Sequence, residues 1–453
     1  MKHIWLYLNR TDIETERRQC HEEGRDLSSV EEEFQRVLAL DLEDLRNQPA
    51  AESLLDRTIG LPLRPGCTLH EPSDLEGIRA ARPADSPALP PLSLTDASLE
   101  DKVHGAWLGR CAGCLLGKPV EGWRRPRMWG LLRESGRWPL SDYFRLDSVS
   151  PELRRKYEMA ETAPFADRVE GMPEDDDTNY TATGLAILQR FGPGFTPEDV
   201  AAFWLGNIPI LHTCTAERVA YRNLVRLIPP PASASFRNPY REWIGAQIRA
   251  DFWGYAAPGN PELAAEMAWR DACVSHVKNG IYGEMWAAAV ISAAFVTDHV
   301  PTILRAGLAQ IPARCRLADE VERFMDLWDG GADYDTALRN LHDLWNEESA
   351  HDWCHVISNA VVVTIGLLYG EGDFQQTICR AVQACFDTDC NGATTGSILG
   401  ILHGRRALPP AWTGVLNDTL QTGVAGWHSV RISNLARETL AAIERVAAGG
   451  AGA

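Results

Sequence analysis

A chain of 453 residues with 45% hydrophobic content can bury a large core, either as one big domain with an appendage or as two domains. A formal net charge of −18 and an isoelectric point of about 5.1 exclude binding to phosphate backbones through surface charge, so a nucleic-acid duplex is not an expected partner. The longest apolar runs, Trp286–Val296 and Ala360–Tyr369, fall well short of the ~20 residues that span a bilayer, so a membrane is not expected either.

The apolar run in Met1–Arg10 is too short for a signal-peptide core. Eleven cysteines, an odd count without repeating spacing, argue against a disulfide framework and for a reducing, cytoplasmic setting. The single C-x-x-C, Cys111 and Cys114, lies in a glycine-rich helical pattern and reads as packing. Residues 1–97 form an N-terminal extension with a Pro-rich linker. Within it Glu31–Leu40 has helical periodicity with a charged face, and Arg82–Pro91 suits only a linker or an extended strap. Residues 98–446 read as helix after helix, with little strand-like alternation. Helices are expected at 101–117, 178–191, 197–207, 214–227, 261–272, 281–297, 317–329, 333–346, 354–369, 373–385, 391–404 and 429–446. That pattern predicts an all-α domain built as a compact multi-helix bundle. The Gly/Ala run 447–453 reads as a flexible tail.

Gly105, Gly109, Gly113 and Gly117 recur at spacing four, as do Gly392, Gly396, Gly400 and Gly404, so each set lies on one face of a helix. A glycine in a helix interior costs about 1 kcal/mol against alanine. Eight of them require compensation, and close backbone packing of two central helices supplies it.

Two acidic clusters stand at helix starts: Glu174–Asp177, before Thr178, and Asp387-Thr388-Asp389, before Asn391. N-capping and the helix dipole favour one acid at such a place. Several adjacent carboxylates exceed that need and destabilise the fold unless a cation neutralises them. If the clusters converge, an all-oxygen set suits Mg²⁺ or Mn²⁺, and several carboxylates can hold two such ions about 3.5–4 Å apart. Sequence spacing alone leaves open whether they meet.

The segment Gly105–Glu121 resembles the opening helix and loop of the ADP-ribosylglycohydrolase family, which includes the dinitrogenase reductase-activating glycohydrolase. Asp175-Asp176-Asp177-Thr178 resembles its first metal motif and Asp387–Gly392 its second. His276 with Asn279–Met285 resembles the family's histidine-containing segment. The resemblance covers roughly residues 98–445. It implies an all-α orthogonal bundle with two Mg²⁺ or Mn²⁺ ions in a central cleft. The implied metal ligands are Asp175, Asp176, Asp177, Asp387 and Asp389, with Cys390 completing the shell. Glu121, Asp177 and Asp387 become the catalytic residues, and Glu121, His276, Asn279, Gly280, Tyr282 and Gly283 the substrate contacts. The chain departs from the family pattern at three positions. Asp175 and Cys390 stand where the family usually has Thr or Ser, and Cys114 stands where it often has Asp.

The implied reaction is hydrolysis at the ribose anomeric carbon through an oxocarbenium-like transition state. Glu121 would serve as general base, and Trp123, Trp286 and Tyr282 are available to stack on a base. The expected partner is an ADP-ribosyl conjugate, protein-linked or small. The alternatives are N-glycosidase action on a nucleoside, nucleotide or ribosylated intermediate, and non-hydrolytic ADP-ribose binding.

Overall fold

The computed structural model describes residues 2–92 and 95–450. Among them the chain forms twenty-three α-helices, short 3-10 turns and one antiparallel ribbon, Thr419–Gln421 against Ser429–Arg431. All twelve helices expected from periodicity are present, with ends that differ by a few residues. Asn279–Ala294 and Val356–Tyr369 are buried along their whole length, in keeping with their largely apolar composition.

Two differences have local causes. Residues 429–431 begin as a strand rather than a helix, because Val430 pairs with Leu420 before the helix opens at Ile432. That last helix then runs to Gly450, so residues 447–450 of the expected tail are helical, Ala447 and Ala448 extending the helix and two glycines ending it; residues 451–453 lie outside the described residues. Several helices unforeseen in the sequence, such as Arg125–Glu134 and Val300–Leu308, are short and open with proline in the first turn, a start signal that also marks turns.

The N-terminal extension folds into the helices Arg10–Glu22, Glu31–Leu38, Gln48–Thr58 and Leu75–Ala81. The first three enclose a small core around Ile13, Phe34, Leu54 and Leu55. Buried polar groups fasten the extension to the larger body. Arg241 binds Glu16 at 2.6 Å and Glu23 at 2.7 Å, Tyr240 donates to Asp12 at 2.6 Å, and Gln19 donates to Glu242 at 2.7 Å. The proline-rich stretch after Ala81 has no regular structure and follows the surface as a strap, with Arg82 donating to the Gln310 carbonyl at 3.1 Å.

The glycine helices Asp96–Gly117 and Thr388–His403 pack antiparallel with their backbones in contact. Gly105 faces Gly400, Gly109 faces Gly396, Gly113 faces Gly392, and Gly117 faces Thr388. A Cβ on any of these glycines would enter the partner's backbone. The Thr388 hydroxyl closes the end of the pair by donating to the Gly117 carbonyl at 2.9 Å. The C-terminal end of one helix is thereby pinned to the N-terminal end of the other, and the turn Lys118–Val120 and Glu121 emerge beside Asp387–Asp389.

Gly396→Ala should destabilise the protein by about 1–3 kcal/mol or more, since no rotamer change can clear a backbone atom. Gly206→Ala, with open space around the added methyl, should be neutral or slightly stabilising. Urea unfolding midpoints of the two variants check this, and equal midpoints would refute the backbone-contact reading.

Candidate metal centre

Three segments converge at the pinned end of the glycine pair. The first is held by the ribbon: Met172 N–H donates to the Thr419 carbonyl and Gln421 N–H to the Met172 carbonyl, both at 2.9 Å, so the chain enters the acidic loop from a fixed edge. Asp175 then caps the helix Asp176–Phe191, accepting the Asp177 N–H at 2.9 Å, and its other oxygen pairs with the Lys118 ammonium. Asp177 is held by Arg110, which projects from the first glycine helix. That guanidinium donates to the Asp177 carbonyl at 2.9 Å, the Thr181 hydroxyl at 2.6 Å and the Ile248 carbonyl at 2.7 Å, and it pairs with Asp251 at 2.7 Å. The second acidic cluster opens the second glycine helix. The Asp387 N–H donates to the Asn359 side-chain oxygen at 3.1 Å, and the Asn391 amide donates to the same oxygen at 2.7 Å.

Ligand atoms of Glu121, Asp387 and Asp389 all lie within 4.8 Å of one another, and so do those of Asp177, Asp389 and Cys390, and those of Cys114, Asp175 and Asp177. The two acidic stretches, separate in sequence, therefore meet through Asp177 and Asp389. Asp176 lies outside these three groups; the Cys214 thiol donates to its carboxylate instead. Glu121 is exposed at the rim, and the aspartates of the three groups are buried.

Crowded carboxylates shift one another's titration. Burial and then the charge of Asp175 push Asp389 up to about 7, Asp176 up to about 6, and Asp177 well above the usual carboxylate range. Burial and then Asp389 do the same to Asp387. For Glu121 the charge of Asp389 is the larger cause, ahead of burial. At Asp175 burial pushes upward, but the Lys118 ammonium outweighs it and holds the group low. Asp177 Oδ2 and Asp389 Oδ1 are buried without a hydrogen-bond partner. Leaving such an acceptor unsatisfied costs about 1–3 kcal/mol, and more for a charged group. The surplus negative charge and the unpartnered oxygens fit a divalent cation, and the all-oxygen set Glu121, Asp387 and Asp389 fits a hard one, Mg²⁺ or Mn²⁺.

The histidine-containing segment is placed differently from expectation. His276 is fully buried, with Nδ1 bonded to the Ser275 hydroxyl at 2.8 Å. Asn279 donates to Glu242 at 2.9 Å and accepts the Leu317 N–H at 3.0 Å, and Tyr282 donates to the Pro72 carbonyl. Gly280 and Gly283 admit the Arg241 carbonyl and the Val356 side chain. These five residues pack the interior beneath the N-terminal extension, and none bonds to the acidic cluster among the described residues. Trp286 is likewise fully buried, and Trp123 lies under the Arg127 guanidinium, 3.9 Å from the ring centre, so neither offers a free face to a base. Lys118, Arg110, Asn359 and Cys214 belong to the cluster and were not singled out in the sequence. Only Arg110, a lone charge within a glycine- and leucine-rich helix, carries a signal there.

The chain belongs to the ADP-ribosylglycohydrolase family, whose model matches residues 95–448. Glycohydrolase action on ADP-ribose conjugates is the family's activity, and membership supports hydrolase activity in this chain. A solved structure described as an ADP-ribosylglycohydrolase-related protein complex is similar over 77% of this chain and 99% of its own, at 17% identity and a TM-score of 0.42. No curated protein matches the chain. No helix among the described residues is long and apolar enough to cross a membrane.

A carboxyl whose folded-state pKa is raised stabilises the fold at low pH and loses that contribution as pH climbs from the unfolded value, about 3.9 for Asp, toward the folded one, about 7 for Asp389. A bound cation removes the penalty where the carboxylates are charged. The rise in melting temperature on replacing EDTA with Mg²⁺ or Mn²⁺ should therefore be larger at pH 8 than at pH 5. An equal or smaller rise at pH 8 would show that these carboxylates do not bind the ion.

Proposed function

We propose that this protein hydrolyses the glycosidic bond at C1 of ribose in an ADP-ribosyl conjugate, using a divalent-cation site formed by Asp177, Asp387, Asp389 and Glu121. The observation that carries the reading is the convergence of both acidic motifs, with two unpartnered buried oxygens, at the pinned end of the glycine helices. The raised proton affinity of its carboxylates supports it independently.

When bound, Mg²⁺ or Mn²⁺ supplies Lewis acidity and a template for the sugar hydroxyls. The protein's own groups do the rest. Glu121, at the exposed rim, receives the proton of the attacking water; the neighbouring charge of Asp389 raises its affinity for that proton, which brings a carboxylate closer to neutrality. Arg110 fixes the orientation of Asp177, and Asn359 fixes the start of the helix that carries Asp387 and Asp389. The concentrated negative charge of the cluster stabilises positive charge developing on the ribose ring. Lys118 takes up Asp175 and limits self-repulsion within the group.

Incubation with Mg²⁺ or Mn²⁺ and a panel of Arg- and Ser-linked ADP-ribosyl peptides, nucleosides and nucleotides should release free ADP-ribose from the conjugates. Release from nucleosides alone would move the substrate class to small ribosyl compounds. Asp387→Asn should abolish turnover and the metal-induced stabilisation together; a variant fully active after chelation would refute the assignment. Glu121→Gln should bind ADP-ribose normally with kcat reduced about 10²–10⁴-fold, the usual contribution of a general base. Unchanged kinetics would take Glu121 out of the reaction.

A further inference from the structure

The three groups of potential ligands differ in chemistry. In the first, Cys114, Asp175 and Asp177, the cation is built in: Asp175 gives one oxygen to the Lys118 ammonium and the other to the Asp177 N–H. In the second, Glu121, Asp387 and Asp389, every donor is a carboxylate oxygen. The third, Asp177, Asp389 and Cys390, contains a thiol. It also contains both unpartnered oxygens, Asp177 Oδ2 and Asp389 Oδ1, on side chains that are 0% and 2% exposed. The need for a positive ligand is therefore greatest where a sulfur atom stands among the donors. Hard ions prefer water to thiolate, whereas Zn²⁺ and Co²⁺ accept mixed oxygen and sulfur sets.

We propose that Asp177, Asp389 and Cys390 form a thiolate-containing cation position that selects a borderline-soft ion of the Zn²⁺ class, beside the all-oxygen position that takes Mg²⁺ or Mn²⁺. This rests on the acidic cluster being a cation site and adds that its two positions are unlike. On binding, the S–H bond breaks, a metal–sulfur bond forms, and the thiol proton leaves to solvent. No atom is oxidised or reduced, and at least the one thiol proton is released for each ion bound at sulfur. Cys114, less than a turn before the end of the first glycine helix, belongs to the group that Lys118 already neutralises and takes no part.

Co²⁺ titration of the chelator-stripped, reduced full-length protein tests this. Sulfur-to-cobalt charge transfer should add a near-ultraviolet band to the visible d–d bands, with at least one proton released per sulfur-bound ion in calorimetry run in two buffers of different ionisation enthalpy. Zn²⁺ should displace the band and Mg²⁺ should not. Cys390→Ser should lose the band and drop from about two bound ions to about one, whereas Cys114→Ser should keep both. If Cys390→Ser does not fold, Cys390→Asp serves in its place, with the same loss of the band. Visible bands without the near-ultraviolet one, or a band that survives substitution of Cys390, would overturn the thiolate position and leave the cation site standing. Absence of any Co²⁺ binding would overturn both.

Discussion

The contact between two helix backbones at their glycines governs the rest of this structure. Seven glycines within the two helices forfeit about 1 kcal/mol each in helix propensity, while Gly404 ends the second helix in the left-handed region that glycine favours. The close approach they permit returns dispersion contacts and tight packing along the whole length of the pair. Its functional consequence is positional. A contact between backbones leaves little freedom to slide, because carbonyl and Cα meet rigidly, whereas side-chain layers can repack. The turn after Gly117 and the start of the helix at Thr388 are thus held in one register, and a rim carboxylate and two buried ones come within ligand distance of one another.

Within that frame the carboxylates differ from the other buried acids of the molecule. Glu16, Glu23 and Glu71 each meet an arginine or lysine at 2.6–2.8 Å. Glu217 and Asp271 share Arg249 in the same way. Such pairs offset the desolvation of both ions and fix the packing of elements. Glu121, Asp387 and Asp389 have no ion-pair partner within 4 Å among the described residues, although Lys118 stands close enough to moderate Asp389. A fold that neutralises most of its other interior acids and leaves these crowded tolerates a local instability, and such instability gathers where a ligand completes the charge balance.

Helical periodicity and the two glycine ladders were enough to read the bundle and its central pair. Apolar spacing reports which face is buried, and an uninterrupted glycine spacing leaves few partners except another backbone. The acidic motifs could be picked out because four adjacent acids exceed any capping need. Their meeting was not legible, since contact between distant segments depends on tertiary packing. That His276, Asn279 and Tyr282 lie away from the acidic cluster was not legible for a related reason. A polar residue at the start of a buried helix looks the same in sequence whether it faces a cleft or a neighbouring segment, and here neighbouring segments take that place: Pro72 of the N-terminal extension against Tyr282, and Glu242 and Arg241 of the larger body against Asn279 and Gly280. Lys118 and Asn359 act through partners far away in sequence, so no local pattern marks them.

The two unusual residues Asp175 and Lys118 are explained together by their contact. A carboxylate at position 175 would add one more negative charge to a buried cluster that already repels itself, and burial alone would drive its proton affinity up. Lys118 removes that burden by occupying one oxygen, and the Asp177 N–H occupies the other, so Asp175 is committed to holding the turn and helix start in place. Its negative charge still raises Asp177 and Asp389, and Lys118 offsets part of that effect at Asp389. Cys390 has no such companion: its thiol stands with Asp177 and Asp389, whose buried Oδ2 and Oδ1 lack hydrogen-bond partners. The substitution at one end of the cluster is internally compensated, while the one at the other end changes the donor atoms available to a ligand. A difference in metal preference from an all-oxygen site therefore follows from Cys390 and not from Asp175.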